Sequence, residues 1–271
     1  MKVCVFPYAA DVGRSAASVI ADGIRQARRS GRDYLLGCPA GRSARTTYRS
    51  LARLLSVERI PLDHLRLVLM DSYVHTVGKS LCLPPGDAHW SGERFAAEEI
   101  VGPLNEAAPA GKGVAAHHVW LPDPSEPEEF DQRIRSAGGV DLFLLASGST
   151  DGHVGFNPPG TDRGSVTRVV ELAESTRRDN LATYPGFASV DDVPRHGVTV
   201  GISTIVENSH SAIMITLGRE KQTAFRRMST AAVFDPLWPA SIIRECRQAS
   251  LLADRAAAPS FRDGQEGMRK P

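Results

Sequence analysis

The sequence predicts an α/β fold in which a mostly parallel sheet is covered by helices on both faces. Short apolar runs that end in Gly or Pro alternate along the chain with amphipathic segments of helical spacing. Repeated strand-then-helix units favour a parallel sheet, and strands buried on both faces read as continuous apolar runs. Right-handed crossovers then bring the carboxyl ends of the strands to one edge, where ligands and catalytic side chains collect.

The elements are predicted in this order. Residues 2–6 form a first strand, and residues 9–30 place Val19, Ile20 and Ile24 on the apolar face of a helix. Further strands are predicted at residues 33–38, 65–70, 114–121, 140–146, 198–200 and 211–217, and further helices at residues 44–55, 91–105, 126–136 and 220–228. Two long loops, residues 79–90 and 181–197, are typical either of lids or of plain surface excursions.

Composition excludes several classes of protein. The 271 residues are 42% hydrophobic and 23% charged, with a net charge of +1, which is ordinary for a globular protein and gives no reason to expect nucleic acid or a membrane surface as a partner. No apolar run approaches the roughly 18 residues of a membrane span, and the N-terminal run is too short for a signal peptide. The four cysteines are scattered, as in a cytoplasmic protein with reduced thiols.

We expect one domain over residues 1–255 and a polar, mobile tail over residues 256–271.

The strongest chemical signal lies in residues 140–160, which read VDLFLLASGSTDGHVGFNPPG. A buried strand is predicted to end in Gly and Ser, and Asp151 and His153 follow two positions apart on a loop. A carboxylate and an imidazole at the end of a strand are candidates for acid–base chemistry. A lone Asp-Gly-His is also common as a plain turn with a solvated Asp.

Two other predicted strands end in chemically useful groups. Gly41, Arg42 and Ser43 lie at a strand-to-helix turn, where free backbone N–H groups, a hydroxyl and a guanidinium would bind an anion. Asp71 directly follows the apolar run RLVLM, and partial desolvation there would raise its pKa toward that of a useful base. Together these groups indicate acid–base work on a small phosphorylated molecule. The sequence contains no nucleophile elbow, Walker loop or metal-ligand cluster that would indicate a different chemistry, so neither a metal nor a cofactor is expected.

Five blocks of residues 33–230 resemble, in order and at matching spacing, the glucosamine-6-phosphate deaminases, a superfamily that also holds 6-phosphogluconolactonases and ribose-5-phosphate isomerase. The blocks read PAGRSARTTY, LVLMDSYV, LLASGSTDGHVGFNPPGT, TR, and VTVGISTIVENSHSAIMITLGREKQTAF. The pattern D-G-H-x-x-F-N-x-P favours the deaminase branch, because lactonases typically continue D-G-H-T-A-S-L-F-P.

The resemblance implies a single-domain, Rossmann-like α/β fold and an aldose–ketose isomerisation coupled to loss of ammonia. It assigns Asp71 as the base that moves a proton between C2 and C1 of the open-chain sugar. It assigns His153 as the acid/base of ring opening and Asp151 as its partner. Lys221 and the turn at residues 41–43 would bind the phosphate of a sugar phosphate.

The sequence also departs from the family pattern. The Glu of the family's F-N-E-P is Pro158 here, which cannot transfer a proton, and the Glu of D-E-Y is Ser72. The family's phosphate-binding arginine falls by spacing at about Ala182; Arg177 and Arg178 lie nearby and are candidates to replace it, as is Arg42.

Three hypotheses remain open at this stage. The chain is an isomerase or deaminase of a different sugar phosphate, or an ordinary glucosamine-6-phosphate deaminase whose relay is replaced by water, His75 or Glu93. It could also be a sugar-phosphate-binding protein without turnover, with a lactone hydrolase as the least favoured alternative. Related enzymes range from monomers to hexamers, so a homo-oligomer stays an open alternative.

Overall fold

The computed structural model describes residues 1–261. Their strands are β1 (Lys2–Phe6), β2 (Tyr34–Cys38), β3 (Leu65–Leu69), β4 (Asp71–Val77), β5 (Ser80–Cys82), β6 (Val119–Trp120), β7 (Leu142–Ala146), β8 (Arg168–Glu171), β9 (His196–Thr199), β10 (Ala212–Thr216) and β11 (Ala249–Asp254). Their helices are α1 (Ala9–Arg29), α2 (Arg45–Glu58), α3 (Gly92–Ala96), α4 (Gly102–Ala107), α5 (Pro127–Ser136), α6 (Glu174–Leu181), α7 (Ile202–Glu207) and α8 (Gln222–Thr230).

Two sheets are present within the described residues. Seven strands form a parallel sheet in the order β1-β11-β10-β7-β2-β3-β6, and four form an antiparallel sheet in the order β5-β4-β9-β8. The chain crosses between them at Met70, which lies between β3 and β4. The Met70 N–H donates to Cys38 O at 3.0 Å in the large sheet, and its carbonyl accepts from Val200 N–H at 2.8 Å beside the small one. Met70 is therefore the residue at which two consecutive strands pass directly from one sheet to the other.

Both faces of the parallel sheet are buried. Along β3, Leu67 and Leu69 pack into one apolar cluster, whereas Val68 and, just beyond the strand, Met70 pack into another. The first cluster includes residues of α1, α2, α3 and α4, and the second includes residues of α5, α7 and α8. Since side chains alternate along a strand, a continuous apolar run fills both clusters at once. The α/β class with a mostly parallel sheet and helices on both faces is thus confirmed.

A third apolar cluster, which we call the loop cluster, lies beside the small sheet. Its buried members are Tyr73, Phe156, Leu172, Tyr184, Phe187 and Val193. Trp90, at the end of the predicted loop at residues 79–90, has its ring centroid 5.9 Å from that of Tyr73. Phe187, in the predicted loop at residues 181–197, lies 6.3 Å from the same ring. Both long loops are therefore packed against one tyrosine and against each other.

Several elements differ from the sequence prediction. The strand expected at residues 114–121 is reduced to β6, because Ala116–His118 form a 3-10 turn. The helix expected at residues 91–105 contains a π-helical turn, Ala97–Val101. The strand expected at residues 198–200 belongs to the antiparallel sheet, as β9. The helix α6 and the strand β11 were not predicted.

The first six residues of the expected tail, 256–261, are part of the packed body. Ala257 and Ala258 are buried, and the ring of Phe261 packs edge-on against Phe225 at 5.5 Å. These contacts extend the packed body six residues beyond the expected boundary, and the rest of the expected tail, residues 262–271, lies outside the described residues. None of the helices in residues 1–261 combines the length and the apolar character needed to cross a membrane.

Candidate active site

A cavity of about 250 Å³ opens at the carboxyl ends of the parallel strands. Most of the residues predicted for catalysis and phosphate binding contribute to its wall: Gly41, Arg42, Ser43, Asp71, His153 and Lys221. They come from four different segments of the chain, which the parallel sheet brings to the same edge. Asp151 is not part of the wall and lies behind His153.

Asp71 begins β4 and is only 6% exposed. Burial raises the pKa of its carboxyl group to about 7, although the nearby His153 opposes that shift. Within residues 1–261 no side chain donates a hydrogen bond to this carboxylate. A carboxylate with a pKa near neutrality is suited to take a proton from carbon and to return it.

Asp151 and His153 form a hydrogen-bonded pair. The Nδ1 atom of His153 lies 2.8 Å from Oδ1 of Asp151, and Thr176 Oγ1 lies 3.1 Å from the same Nδ1. Burial would raise the pKa of Asp151, but hydrogen bonds from His153 and Ser175 outweigh burial and hold it well below its usual range. An ionised Asp151 makes Nδ1 the protonated nitrogen of a neutral imidazole, which leaves Nε2 free to exchange a proton.

The backbone of this turn is held by the segment around Trp238. Gly152 has φ +67°, and a Cβ atom there would lie 2.3 Å from the indole ring. The carbonyl of Gly152 accepts a hydrogen bond from Ala240 N–H at 2.8 Å, and Gly160 N–H donates to Pro236 O at 2.8 Å. The loop that carries His153 is thus fixed at both ends by one neighbouring segment.

Gly155 allows the same loop to approach the base. A Cβ atom at this position would lie 2.7 Å from Thr199 Oγ1 and 3.5 Å from Asp71 Oδ2. Its φ of +56° is in the left-handed region that favours glycine. The two glycines on either side of the imidazole therefore let a tight loop bring His153 into the cavity that holds Asp71.

Lys221 provides a half-buried positive charge in the cavity wall. It ends the 3-10 turn Arg219–Lys221, which follows β10, and its Nζ donates to Ser147 O at 2.5 Å. Burial lowers the pKa of Lys221, while Asp179 and Glu220 raise it. Arg42 is exposed and begins the 3-10 turn Arg42–Ala44. Together the two cations could bind an anionic group.

The structure places neither Arg177 nor Arg178 in the cavity wall. The guanidinium of Arg177 is buried and donates to Val193 O at 3.1 and 3.0 Å and to Val190 O. Arg178 is exposed and pairs with Glu174. Neither arginine is therefore placed to replace the missing phosphate-binding arginine. Arg177 holds the loop that follows α6, and Arg178 faces solvent.

Instead, Asp179, Asn180 and Thr183 of this region line the cavity. Sequence reasoning missed them because α6, with the sequence ESTRRDNL, has no apolar stripe that would reveal a helix or its orientation. Residues 179, 180 and 183 are spaced so that they lie on one side of a helix. Once a helix is assumed here, this spacing identifies the side that faces the cavity.

The carbonyl of Pro158 accepts two hydrogen bonds from Thr161, one from its N–H at 3.2 Å and one from its Oγ1 at 2.7 Å. Neither His75 nor Glu93, the two suggested replacements for the relay carboxylate, lines the cavity. Within residues 1–261, no cluster of three or more His, Cys, Asp or Glu side chains has the arrangement of a metal site.

Comparison with known proteins gives a consistent result. No protein-family profile matches the chain. The glucosamine-6-phosphate deaminase of Rhodococcus opacus (strain B4) is 34% identical over 267 residues, which cover 95% of this chain and 92% of the relative. That of Arthrobacter sp. (strain FB24) is 32% identical over 268 residues, covering 97% and 93%.

Solved structures show the same relationship. A monomeric glucosamine-6-phosphate deaminase superposes with a TM-score of 0.83 at 27% identity, covering 96% of this chain and all of the other. The 6-phosphogluconolactonase of Trypanosoma brucei superposes with a TM-score of 0.67 at 18% identity, covering 96% and 98%, which indicates a common fold. Full-length similarity above 30% identity to named deaminases, together with this fold, shows that the chain belongs to the glucosamine-6-phosphate deaminase family.

Proposed function

We propose that this protein catalyses an aldose–ketose isomerisation of an amino sugar phosphate, coupled to loss of ammonia. The observation that carries the proposal is the position of Asp71. It is a buried carboxylate with a pKa raised to about 7, in a cavity that also holds His153 and Lys221. The names of the full-length relatives support the same reaction class.

In this reaction Asp71 acts as the base. Its carboxylate takes the proton from C2 of the open-chain sugar and returns it to C1, so that the carbon bearing nitrogen becomes an imine that water converts to a ketone with release of ammonia. Abstraction of a proton beside a carbonyl or imine needs a poised base and stabilisation of the charge that develops. His153, oriented by Asp151, exchanges the proton of the ring oxygen when the sugar ring opens.

The anionic end of the substrate binds at the cationic part of the cavity wall. Lys221 and Arg42 supply positive charge, and Ser43 with the backbone of the turn after β2 supplies hydrogen-bond donors. A single phosphate at this end would place C1 and C2 between Asp71 and His153. Asp71, Asp151, His153, Gly41, Arg42, Ser43 and Lys221 are the residues to which we assign the reaction.

We infer a substrate that needs little help with ring opening, such as an amino sugar phosphate that is already open-chain or easily opened. Pro158 supports this inference, because no carboxylate stands at that position to work with the imidazole. Glucosamine 6-phosphate itself is the second candidate, favoured by the names of the relatives.

One assay tests both candidates. The purified protein is incubated with glucosamine 6-phosphate, and ammonia and fructose 6-phosphate are measured, followed by a panel of other amino sugar phosphates. Turnover of glucosamine 6-phosphate at a rate ordinary for an enzyme, abolished by Asp71→Asn, would select the second candidate. Binding without turnover on the whole panel would instead support a sugar-phosphate-binding protein and contradict the proposed reaction.

The setting of the enzyme is part of the proposal. The cysteines Cys4, Cys38, Cys82 and Cys246 are free thiols, which supports a reducing, cytoplasmic location. We propose that residues 1–255, with the packed segment that follows, act as one domain and use a small-molecule sugar phosphate as substrate. A homo-oligomer is compatible with this function, and sedimentation of the pure protein would establish its state.

A further inference from the structure

The cavity wall around Lys221 carries as many negative as positive side chains. Arg42 and Lys221 are cationic, whereas Asp179 and Glu220 are anionic. Both carboxylates act on the charge of Lys221 from nearby. A wall whose charges cancel gives a doubly charged anion much less net attraction than two unopposed cations would.

Asp179 is available to a ligand. It is half-buried on α6 and lines the cavity together with Asn180. Its neighbour Arg178 pairs with Glu174 instead, and none of the ion pairs in the described part of the chain includes Asp179. The guanidinium of Arg177 donates its hydrogen bonds to the loop that follows the helix. The helix therefore presents an unpaired carboxylate to the cavity and turns its two arginines away.

We propose that Asp179 is a specificity-determining residue that makes the cavity prefer a phosphate carrying one proton over a fully ionised anion of similar shape. The inference rests on the proposed function only in taking phosphate as the anionic group of the substrate. A singly protonated phosphate can donate its O–H to the carboxylate, while its remaining oxygens accept from Lys221 and Arg42. A dianion brings only acceptors and a like charge to Asp179, which costs binding free energy.

Other titratable groups face the same cavity and change charge with pH. Asp71, Glu220, Lys221 and His153 line it, and Asp151 lies directly behind His153. Ionisation of Asp71 alone would weaken the binding of any anion as pH rises. These groups are unchanged in an Asp179→Asn variant, so the difference between the variant and the native protein isolates Asp179.

The test uses methyl phosphate, a phosphate monoester, and inorganic sulfate as probes. Calorimetric dissociation constants are measured for the full chain at pH 5.5 and pH 8.5. The phosphate group of methyl phosphate has a second pKa of about 6, so it carries one proton at the lower pH and none at the higher. Sulfate carries no proton at either. We expect the native protein to bind phosphate about tenfold more tightly than sulfate at pH 5.5, a ratio well within the effect of one charge at a half-buried site. This preference should disappear at pH 8.5.

Asp179→Asn should remove the preference at pH 5.5 and bind sulfate about tenfold more tightly than the native protein does, because the like charge is gone. Asp191→Asn changes an exposed carboxylate outside the cavity wall and should leave both constants unchanged. A phosphate-to-sulfate ratio that is the same in the native protein and in Asp179→Asn would overturn the proposal, as would the absence of phosphate binding at both pH values. Because no turnover is needed, the anion preference can hold even where the proposed reaction fails, and the two outcomes stay distinct.

Discussion

The indole ring of Trp238 occupies the space that a side chain at Gly152 would need. A Cβ atom built on Gly152 lies 2.3 Å from the ring, and the residue has φ +67°. Gly31 has nearly the same backbone angle, φ +65°, with no atom within 4 Å of a Cβ. Replacing each glycine by alanine thus separates two contributions to the free energy of unfolding: the left-handed backbone angle, present at both positions, and the contact with the ring, present only at Gly152.

We expect Gly31→Ala to lower the free energy of unfolding by roughly 1 kcal/mol, which is the cost of a left-handed angle in a residue with a side chain. Gly152→Ala should cost about 3 kcal/mol, because the ring must also move. Urea unfolding measures both. The activity of Gly152→Ala should fall as well, since His153 is the next residue. Equal unfolding costs for the two variants would mean that Trp238 yields without strain.

The pH dependence of the reaction should follow Asp71. Because a base must be unprotonated to accept a proton, kcat/KM should rise as pH increases through about 7, the raised pKa of Asp71. At high pH the rate should fall again, and earlier than for an ordinary lysine, since burial lowers the pKa of Lys221. The measurement is a pH–rate profile on a substrate whose phosphate is already fully ionised above pH 7. A rise centred near pH 4 would show that Asp71 is not the titrating base.

Asp71 should also affect stability, in the opposite sense to most carboxylates. Its pKa is about 7 in the folded protein and about 3.9 in an unfolded chain. Between these values the folded state holds more protons, so stability decreases as pH rises from 4 through 7, by at most about 4 kcal/mol. Asp71→Asn should therefore be more stable than the native protein at pH 8.5 and nearly equal to it at pH 4. Urea unfolding at both pH values checks this, with Asp191→Asn, at an exposed position, as the control that changes neither.

Adjacent arginines on α6 should differ sharply in their effect. Arg177→Ala leaves the carbonyl of Val193 without a side-chain donor, takes one of two donors from the carbonyl of Val190 and removes a buried side chain. We expect a loss of about 2 kcal/mol in unfolding free energy and faster proteolysis of the loop at residues 182–195. Arg178→Ala removes one exposed ion pair with Glu174 and should change stability by less than about 0.5 kcal/mol. A phosphate-binding role would be indicated if Arg178→Ala, rather than Arg177→Ala, weakened phosphate binding.

Pro158→Glu tests the missing relay. The Pro158 carbonyl, not its ring, is used by Thr161, so the exchange preserves those hydrogen bonds. If ring opening limits turnover of glucosamine 6-phosphate, the new carboxylate should raise its rate by about 10²-fold, the lower end of general acid–base effects. Pro159→Glu places the same side chain one residue later at an exposed position and should have no effect. An unchanged rate in Pro158→Glu would mean that ring opening is not the limiting step.

Sequence reasoning recovered the parallel sheet because its strands are continuous apolar runs. It placed Asp71 and His153 at the cavity because Asp71 directly follows one such run and His153 lies on the loop after another. It did not recover the strand order, in which β11 lies between β1 and β10, since an apolar run does not specify its neighbours. It also stopped the third strand at residue 70, where the chain instead enters a second sheet.

Around the cavity, the residues that escaped prediction have a common physical cause. The helix α6 is polar on all sides, so nothing in its spacing separated the buried guanidinium of Arg177 from the cavity-facing carboxylate of Asp179. The contact between Gly152 and Trp238 joins two distant parts of the chain and has no local signal. The phosphate-side residues Gly41, Arg42, Ser43 and Lys221 all line the cavity as expected, and their roles in binding stay a prediction.

Met70 hydrogen-bonds to Cys38 in the large sheet and to Val200 beside the small one, and Asp71, the proposed base, directly follows it. Asp179 belongs to a short polar helix followed by a loop. Our two proposals thus assign the chemistry and the substrate choice to separate parts of the chain. Random mutation followed by selection for a new sugar should therefore accumulate changes in residues 174–195 while Asp71 and its strand stay fixed, which makes this scaffold a practical starting point for directed evolution of substrate range.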